Sequence, residues 1–139
     1  MITPAKHLIF HGSVVLLFGL LLGAPYGKAI NREASAHIVN SWRIAHQSLP
    51  IAAILMFSVA AVLTSLSVSA ALSWFIAGCL IASSYFFCIS MPLAAITGHR
   101  GLTRGKTTPE NVVLFANVAG AWLSLFAAIC LVYAAAASL

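Results

Sequence analysis

The stretch "IAHQSLPIAAILMFSVAAVLTSL", residues 44–66, decides the fold class of this chain. It carries no Asp, Glu, Lys or Arg, and it is long enough to cross a hydrocarbon core of about 30 Å as a helix. The rest of the chain is similar, because 62% of its 139 residues are hydrophobic and only 6% are charged. Soluble domains carry roughly 25% charged residues. The composition therefore indicates an integral membrane protein.

Three further stretches have the same apolar character, namely residues 8–24, 70–95 and 111–137. A segment in lipid must satisfy its own backbone hydrogen bonds, and the alternation typical of barrel strands is absent, so these stretches are predicted to be helices. Glycine, proline and charged residues separate them, and the sequence Thr108-Pro109-Glu110 is typical of a helix start. The sequence predicts one all-α domain, a four-helix transmembrane bundle over residues 1–139.

Basic residues are distributed unequally between the two ends of this bundle. Six of the seven Lys and Arg residues fall at the end that carries the predicted loops 25–43 and 98–109, and Lys6 lies at the other end. The positive-inside rule predicts that these loops are cytoplasmic and both termini outside, in a bacterial-type inner membrane. Topology thus explains the formal charge of +5. Membrane lipid is an expected partner, and nucleic acid is not, since no aromatic groove-filling module accompanies the basic residues.

The three cysteines, Cys79, Cys88 and Cys130, lie inside apolar stretches and form no CxxC pair. We expect them to be small buried hydrophobic residues rather than a zinc site or disulfides.

Polar residues within the predicted spans are the candidates for function, because lipid makes them costly. His11 has two possible roles, a hydrogen bond to a backbone carbonyl or a place in a site. Tyr85 lies well below the headgroups, so its hydroxyl is expected to find a partner inside the bundle. Asn117 is interpreted as an interhelical hydrogen-bonding residue or a site residue.

His46 is the strongest candidate for binding a cofactor. Trp42 precedes it by four residues, so the two side chains project from one helical face, and Arg43 lies beside them at the charged boundary. A neutral imidazole, an aromatic ring and nearby cations suit a haem, whose propionates would reach basic residues such as Arg43 and Arg100. An ordinary hydrogen-bonded histidine is the alternative. His11 is expected too far away in depth to bind the same iron, which predicts a haem with one open face.

Four segments resemble styrene oxide isomerase in order and spacing: "FHGSVVLLFGLLLG" (10–23), "WRIAH" (42–46), "YFF" (85–87) and "GHRGLTRG" (98–105). The resemblance implies a homotrimer with haem b at the subunit interface. It implies conversion of an aryl epoxide to an aldehyde by a Meinwald rearrangement, with ferric iron as the Lewis acid. His46 matches the family's axial haem ligand, and Tyr85 matches its active-site tyrosine.

One position departs from the family. The family has an asparagine six residues beyond the haem histidine, whereas this chain has Ala52. Either Gln47 or Asn117 supplies the amide in catalysis, or the substrate pocket has changed. Two other classes stay open: a non-catalytic haem-binding or electron-transfer membrane protein, and a cofactor-free channel, transporter subunit or assembly factor. The sequence does not identify the epoxide.

Overall fold

The computed structural model describes residues 2–139, and within this range it contains helices and no strand. The helices are α1 (Thr3–Leu21), α2 (Gly23–Asn31), α3 (Ala36–Leu63), α4 (Ala70–Thr97) and α5 (Thr108–Ala136). Only Leu22 separates α1 from α2, so the two together form one span. The described chain thus has four spans that are long and apolar enough to cross a membrane, as predicted.

The first connection is much shorter than the predicted loop 25–43, and that prediction was wrong. Helix continues to Asn31 and resumes at Ala36, so only residues 32–35 join the first two spans. Pro25 does not end the helix, because it lies in the first turn of α2, where its missing N–H removes no intrahelical hydrogen bond. The first span ends seven residues later than predicted, and the second begins at Ala36 instead of residue 44.

The first span also begins five residues earlier than predicted, at Thr3 instead of residue 8. The other bounds lie within three residues of those predicted, and the N-cap of α5 lies one residue before Thr108. Thr107, not Thr108, is the N-cap residue. The Glu110 carboxylate accepts hydrogen bonds from the backbone N–H of Lys106 at 2.6 Å and of Thr107 at 3.3 Å. These bonds satisfy donors that the start of the helix leaves free.

Each end of the bundle has one hydrogen bond that joins segments distant in sequence. His37 Nε2 donates to the carbonyl oxygen of Gly98 at 2.8 Å, which joins the start of α3 to the end of α4. Ser67 N donates to Ser138 Oγ at 3.1 Å, which joins the second loop to the C-terminus. The first and third loops therefore share one end, where six of the seven Lys and Arg residues lie, as the charge pattern predicted.

Helix α1 packs closely on α3 because glycines face it. A Cβ atom at Gly12 would lie 2.7 Å from Phe57 Cε1, and one at Gly19 would lie 2.6 Å from Pro50 Cδ and 2.9 Å from Leu49 Cβ. Small residues at such contacts allow helix backbones to approach each other in membranes. The approach at Gly19 places a backbone carbonyl of α1 against the turn of α3 that carries His46.

Candidate active site

His46 binds the backbone of α1 through one of its two ring nitrogens. Its Nδ1 lies 2.9 Å from the carbonyl oxygen of Gly19. A carbonyl oxygen only accepts, so Nδ1 carries a proton, and in the neutral imidazole Nε2 holds the lone pair. Nε2 has no hydrogen-bond partner among residues 2–139, and the side chain is half-buried. Histidines that bind metals show this arrangement, in which the second nitrogen donates to a carbonyl or carboxylate.

Helix α2 supplies the immediate surroundings of this imidazole. The Tyr26 ring stacks near it, with ring centroids 6.1 Å apart and planes inclined by 28°. Gly23 gives the imidazole its space, because a Cβ atom there would lie 3.1 Å from His46 Cε1. Sequence analysis named neither residue as part of a site, because it ended the first span at residue 24 and placed Tyr26 in a loop.

Trp42 lies one turn before His46 on α3 and packs against the buried cluster of Val15, Leu22, Ala45, Leu49 and Ala53. The aromatic ring that stacks with His46 is that of Tyr26.

The polar neighbours of His46 in sequence point away from the bundle interior. Arg43 is exposed, and its Nη2 donates to Asn40 Oδ1 at 2.6 Å. Gln47 is exposed and forms no hydrogen bond within residues 2–139. Arg43 lies one turn or less from His46 and at the cationic end of the bundle.

Arg100 and Asn117 meet at a separate cavity of about 370 Å³, whose lining also includes His37 and Asn40 but not His46. Asn117 Nδ2 donates to the carbonyl oxygen of Arg100 at 3.2 Å. Asn117 thus fixes the third loop on α5, so its hydrogen bond connects a loop with a helix and not two helices. The Arg100 side chain is exposed, at the same end as Arg43.

Tyr85 finds the partner within the bundle that was predicted for it, and this partner is His11. The Tyr85 hydroxyl lies 2.8 Å from His11 Nδ1, which joins α4 to α1. One role expected for His11 was a hydrogen bond to a backbone carbonyl, but its Nδ1 contacts the Tyr85 hydroxyl instead. Neither Gln47 nor Asn117 hydrogen-bonds to Tyr85 within residues 2–139, and Ala52 is half-buried on α3.

The His46 and Tyr85 groups lie at different depths along α1. His46 binds α1 at Gly19 and Tyr85 binds it at His11, eight residues away. At 1.5 Å per helical residue these positions are about 12 Å apart. One chain therefore presents an imidazole with a free nitrogen at one depth and a phenol at another.

A family model for styrene oxide isomerase matches residues 4–136, nearly the whole chain. No curated protein and no solved structure matches the chain. The matched region includes all four spans except Thr3 of the first, the His46 and Gly19 pair, and the His11 and Tyr85 pair. The chain belongs to the styrene oxide isomerase family.

Proposed function

We propose that this chain is a haem b-dependent membrane isomerase that converts an aryl epoxide of the styrene oxide type into an aldehyde. The observation that carries the proposal is the His46 imidazole, whose Nδ1 is held by the Gly19 carbonyl and whose Nε2 has no partner among residues 2–139. Membership of the styrene oxide isomerase family over residues 4–136 supports the reaction class.

The residues around His46 fit a haem. Residues 2–139 contain no group of three or more His, Cys, Asp or Glu side chains that converge on one point. A metal at His46 therefore suits a macrocycle that brings its own nitrogen ligands. Arg43 and Arg100 are exposed at the cationic end of the bundle and are the candidates for holding propionates. Since His46 is only half-buried in one chain, we expect a second copy to cover it, in a homotrimer.

A bound ferric haem would supply a Lewis acid for the epoxide oxygen. In this proposal the haem and the substrate together fill the depth of about 12 Å between His46 and Tyr85, so that the Tyr85 hydroxyl donates a hydrogen bond to the epoxide oxygen while the benzylic C–O bond breaks. A hydride then shifts from the neighbouring carbon to the benzylic carbon, and the oxygen becomes that of the aldehyde, with no atom gained or lost. The apolar spans exclude water, which would otherwise add to the benzylic carbon and give a diol.

An absorption spectrum of the detergent-purified protein tests the proposal, together with an assay of aldehyde formation from styrene oxide. We expect a Soret band and aldehyde from the wild type. His46→Ala should lose both together, and added imidazole should restore part of each.

His37→Ala is the matched control, because His37 lies on the same helix and also donates to a backbone carbonyl, that of Gly98 at 2.8 Å. It should keep both the Soret band and the activity. An unchanged Soret band in His46→Ala, or a wild type that takes up no haem, contradicts the proposal.

A non-catalytic haem protein is the second candidate, and one observation favours it. Ala52 replaces the family's asparagine, and neither Gln47 nor Asn117 brings an amide to Tyr85 within one chain. Reversible reduction of the haem by physiological reductants, without any turnover of aryl epoxides, would support this candidate instead.

A further inference from the structure

The hydrogen bond between His11 and Tyr85 joins two spans through their side chains. His11 Nδ1 and the Tyr85 hydroxyl are 2.8 Å apart, and both side chains are half-buried. The two rings are nearly perpendicular, at 84°, with centroids 5.7 Å apart. The imidazole therefore meets the phenol through a ring nitrogen at hydrogen-bond distance and not by stacking on its face.

Aromatic neighbours hold the His11 ring in this orientation. His7, one turn earlier on α1, stacks on it with centroids 5.9 Å apart and planes inclined by 19°. Trp74 of α4 packs against His7 with centroids 5.1 Å apart, and the Phe10 ring meets His11 edge-on at 5.1 Å. These ring contacts favour the orientation in which His11 Nδ1 faces the Tyr85 hydroxyl.

We propose that His11 is a positioning residue for Tyr85, a proposal that rests on the proposed function. His11 donates from Nδ1–H to the phenol oxygen, which leaves the single phenol proton free to face the epoxide oxygen. If the Tyr85 hydroxyl instead donated its proton to His11 Nδ1, Tyr85 would have no proton left to donate to the epoxide oxygen.

Donation from His11 also makes Tyr85 the better donor. Hydrogen bonds in a chain polarise one another, so a phenol whose oxygen accepts a bond donates its own proton more strongly. This matters most when the epoxide oxygen gains negative charge during ring opening. No proton needs to leave the pair, because the rearrangement is an isomerisation and returns the hydrogen bonds to their starting state.

Two substitutions of similar size separate this role from simple packing. In His11→Asn, the amide places a polar atom near the position of Nδ1 and can keep the bond to Tyr85. In His11→Leu, the side chain fills a similar volume without a polar atom. We expect kcat to fall about 3- to 10-fold in His11→Leu, the scale of one lost hydrogen bond between neutral groups, with little change in KM. His11→Asn should retain most of the wild-type kcat.

A second readout needs neither haem nor turnover. The chain has three tyrosines, so 3-fluorotyrosine labelling gives three ¹⁹F resonances, and Tyr85→Phe assigns one of them. We expect His11→Leu to shift the Tyr85 resonance and His11→Asn to leave it near its wild-type position. Tyr26 and Tyr133 serve as internal references. The Soret band should be unchanged in both variants, because His46 binds α1 eight residues away from His11.

The ¹⁵N resonances of labelled histidine show which nitrogen of His11 carries the proton. A protonated Nδ1 is expected, and a bare Nδ1 overturns the proposal. Equal kcat in His11→Leu and His11→Asn also overturns it, even if the proposed function stands. If the wild type binds haem but turns over no epoxide, the proposed function fails and the catalytic role of His11 fails with it, while the tyrosine resonances still decide whether the pair exists.

Discussion

The bond from His46 Nδ1 to the Gly19 carbonyl leaves Nε2 as the available imidazole nitrogen, and Gly23 leaves the space beside the ring. Ala at position 23 would place its Cβ 3.1 Å from His46 Cε1, so the ring would have to move by a few tenths of an ångström. A displaced imidazole can still bind iron through Nε2, but Nε2 no longer points in the best direction. Changes around metal-ligating histidines typically weaken metal binding by about 10- to 100-fold.

We therefore predict that Gly23→Ala lowers haem affinity by about tenfold, at the low end of that range. Haem titration of the purified apoprotein, followed by the Soret band, measures this. Gly27→Ala is the matched control on the same helix, because nothing lies within 4 Å of a Cβ there. Equal haem affinity in the two variants would contradict a role for the space at Gly23.

Tyr85→Phe tests the hydroxyl without disturbing the packing of the ring. We predict that haem remains bound, because His46 is untouched, and that turnover falls. The barrier should rise by about 1–3 kcal/mol, the cost of losing one hydrogen bond to a charged group. Soret absorbance and kcat on styrene oxide measure the two effects separately. Loss of haem in this variant would mean that Tyr85 has a structural role instead.

Sequence reasoning reached His46 and Tyr85 individually but not the partners of either residue. Tyr85 is fifteen residues from the start of α4 and His11 eight from the start of α1, a difference of about 10 Å in depth if each is counted from its own helix start. The Tyr85 hydroxyl nevertheless lies 2.8 Å from His11 Nδ1. Counting along the chain does not give that contact.

Between helices, the close approach of α1 and α3 at Gly19 positions the carbonyl that His46 uses. Pro50 and Leu49 fill the space opposite Gly19, at 2.6 Å and 2.9 Å from a Cβ placed there. Neither contact is the far end of a flexible side chain, so an added methyl group must push the helices apart.

We predict that Gly19→Ala destabilises the bundle by about 1–3 kcal/mol, the usual cost of overpacking. Thermal unfolding in detergent measures this effect. Gly78→Ala on α4 is the control, because nothing lies within 4 Å of its added methyl group. That variant should be unchanged or slightly more stable, since Ala favours helix by up to about 1 kcal/mol over Gly. A Gly19→Ala protein as stable as Gly78→Ala would contradict the close approach.

The number and type of spans followed from the sequence for two reasons. The apolar stretches are long enough to cross the membrane, and a backbone N–H or C=O without a hydrogen bond is too costly in lipid, which leaves helices as the choice here. The helical course of residues 25–31 did not follow, because Pro25 and two glycines are typical of a break. Proline in a first helical turn costs no hydrogen bond, and Leu22 provides the only interruption. Which face of each span contacts another span was also not predictable, since lipid-facing and helix-facing side chains are both apolar here.

For the whole molecule, the separation of charge between the two ends gives a testable orientation. In a background without Cys79, Cys88 and Cys130, we place one cysteine at Thr103 in the third loop or at Ser67 in the second. We predict that an impermeant thiol reagent added to intact cells labels Ser67→Cys and leaves Thr103→Cys unlabelled until the cells are lysed. The reverse labelling would invert the orientation.

The last prediction concerns assembly, because one chain covers neither its spans nor His46. In the most apolar window of each span, only 22 to 33% of the residues are buried within the chain. His46 is half-buried with a free Nε2, so a haem bound there would lie at the chain's surface unless another copy covered it. We predict that native mass spectrometry from mild detergent finds three 14.6 kDa chains together with haem. His46→Ala should lose the haem from that assembly, while His37→Ala should keep it. A monomer that retains haem through purification would contradict a site completed by a neighbouring copy.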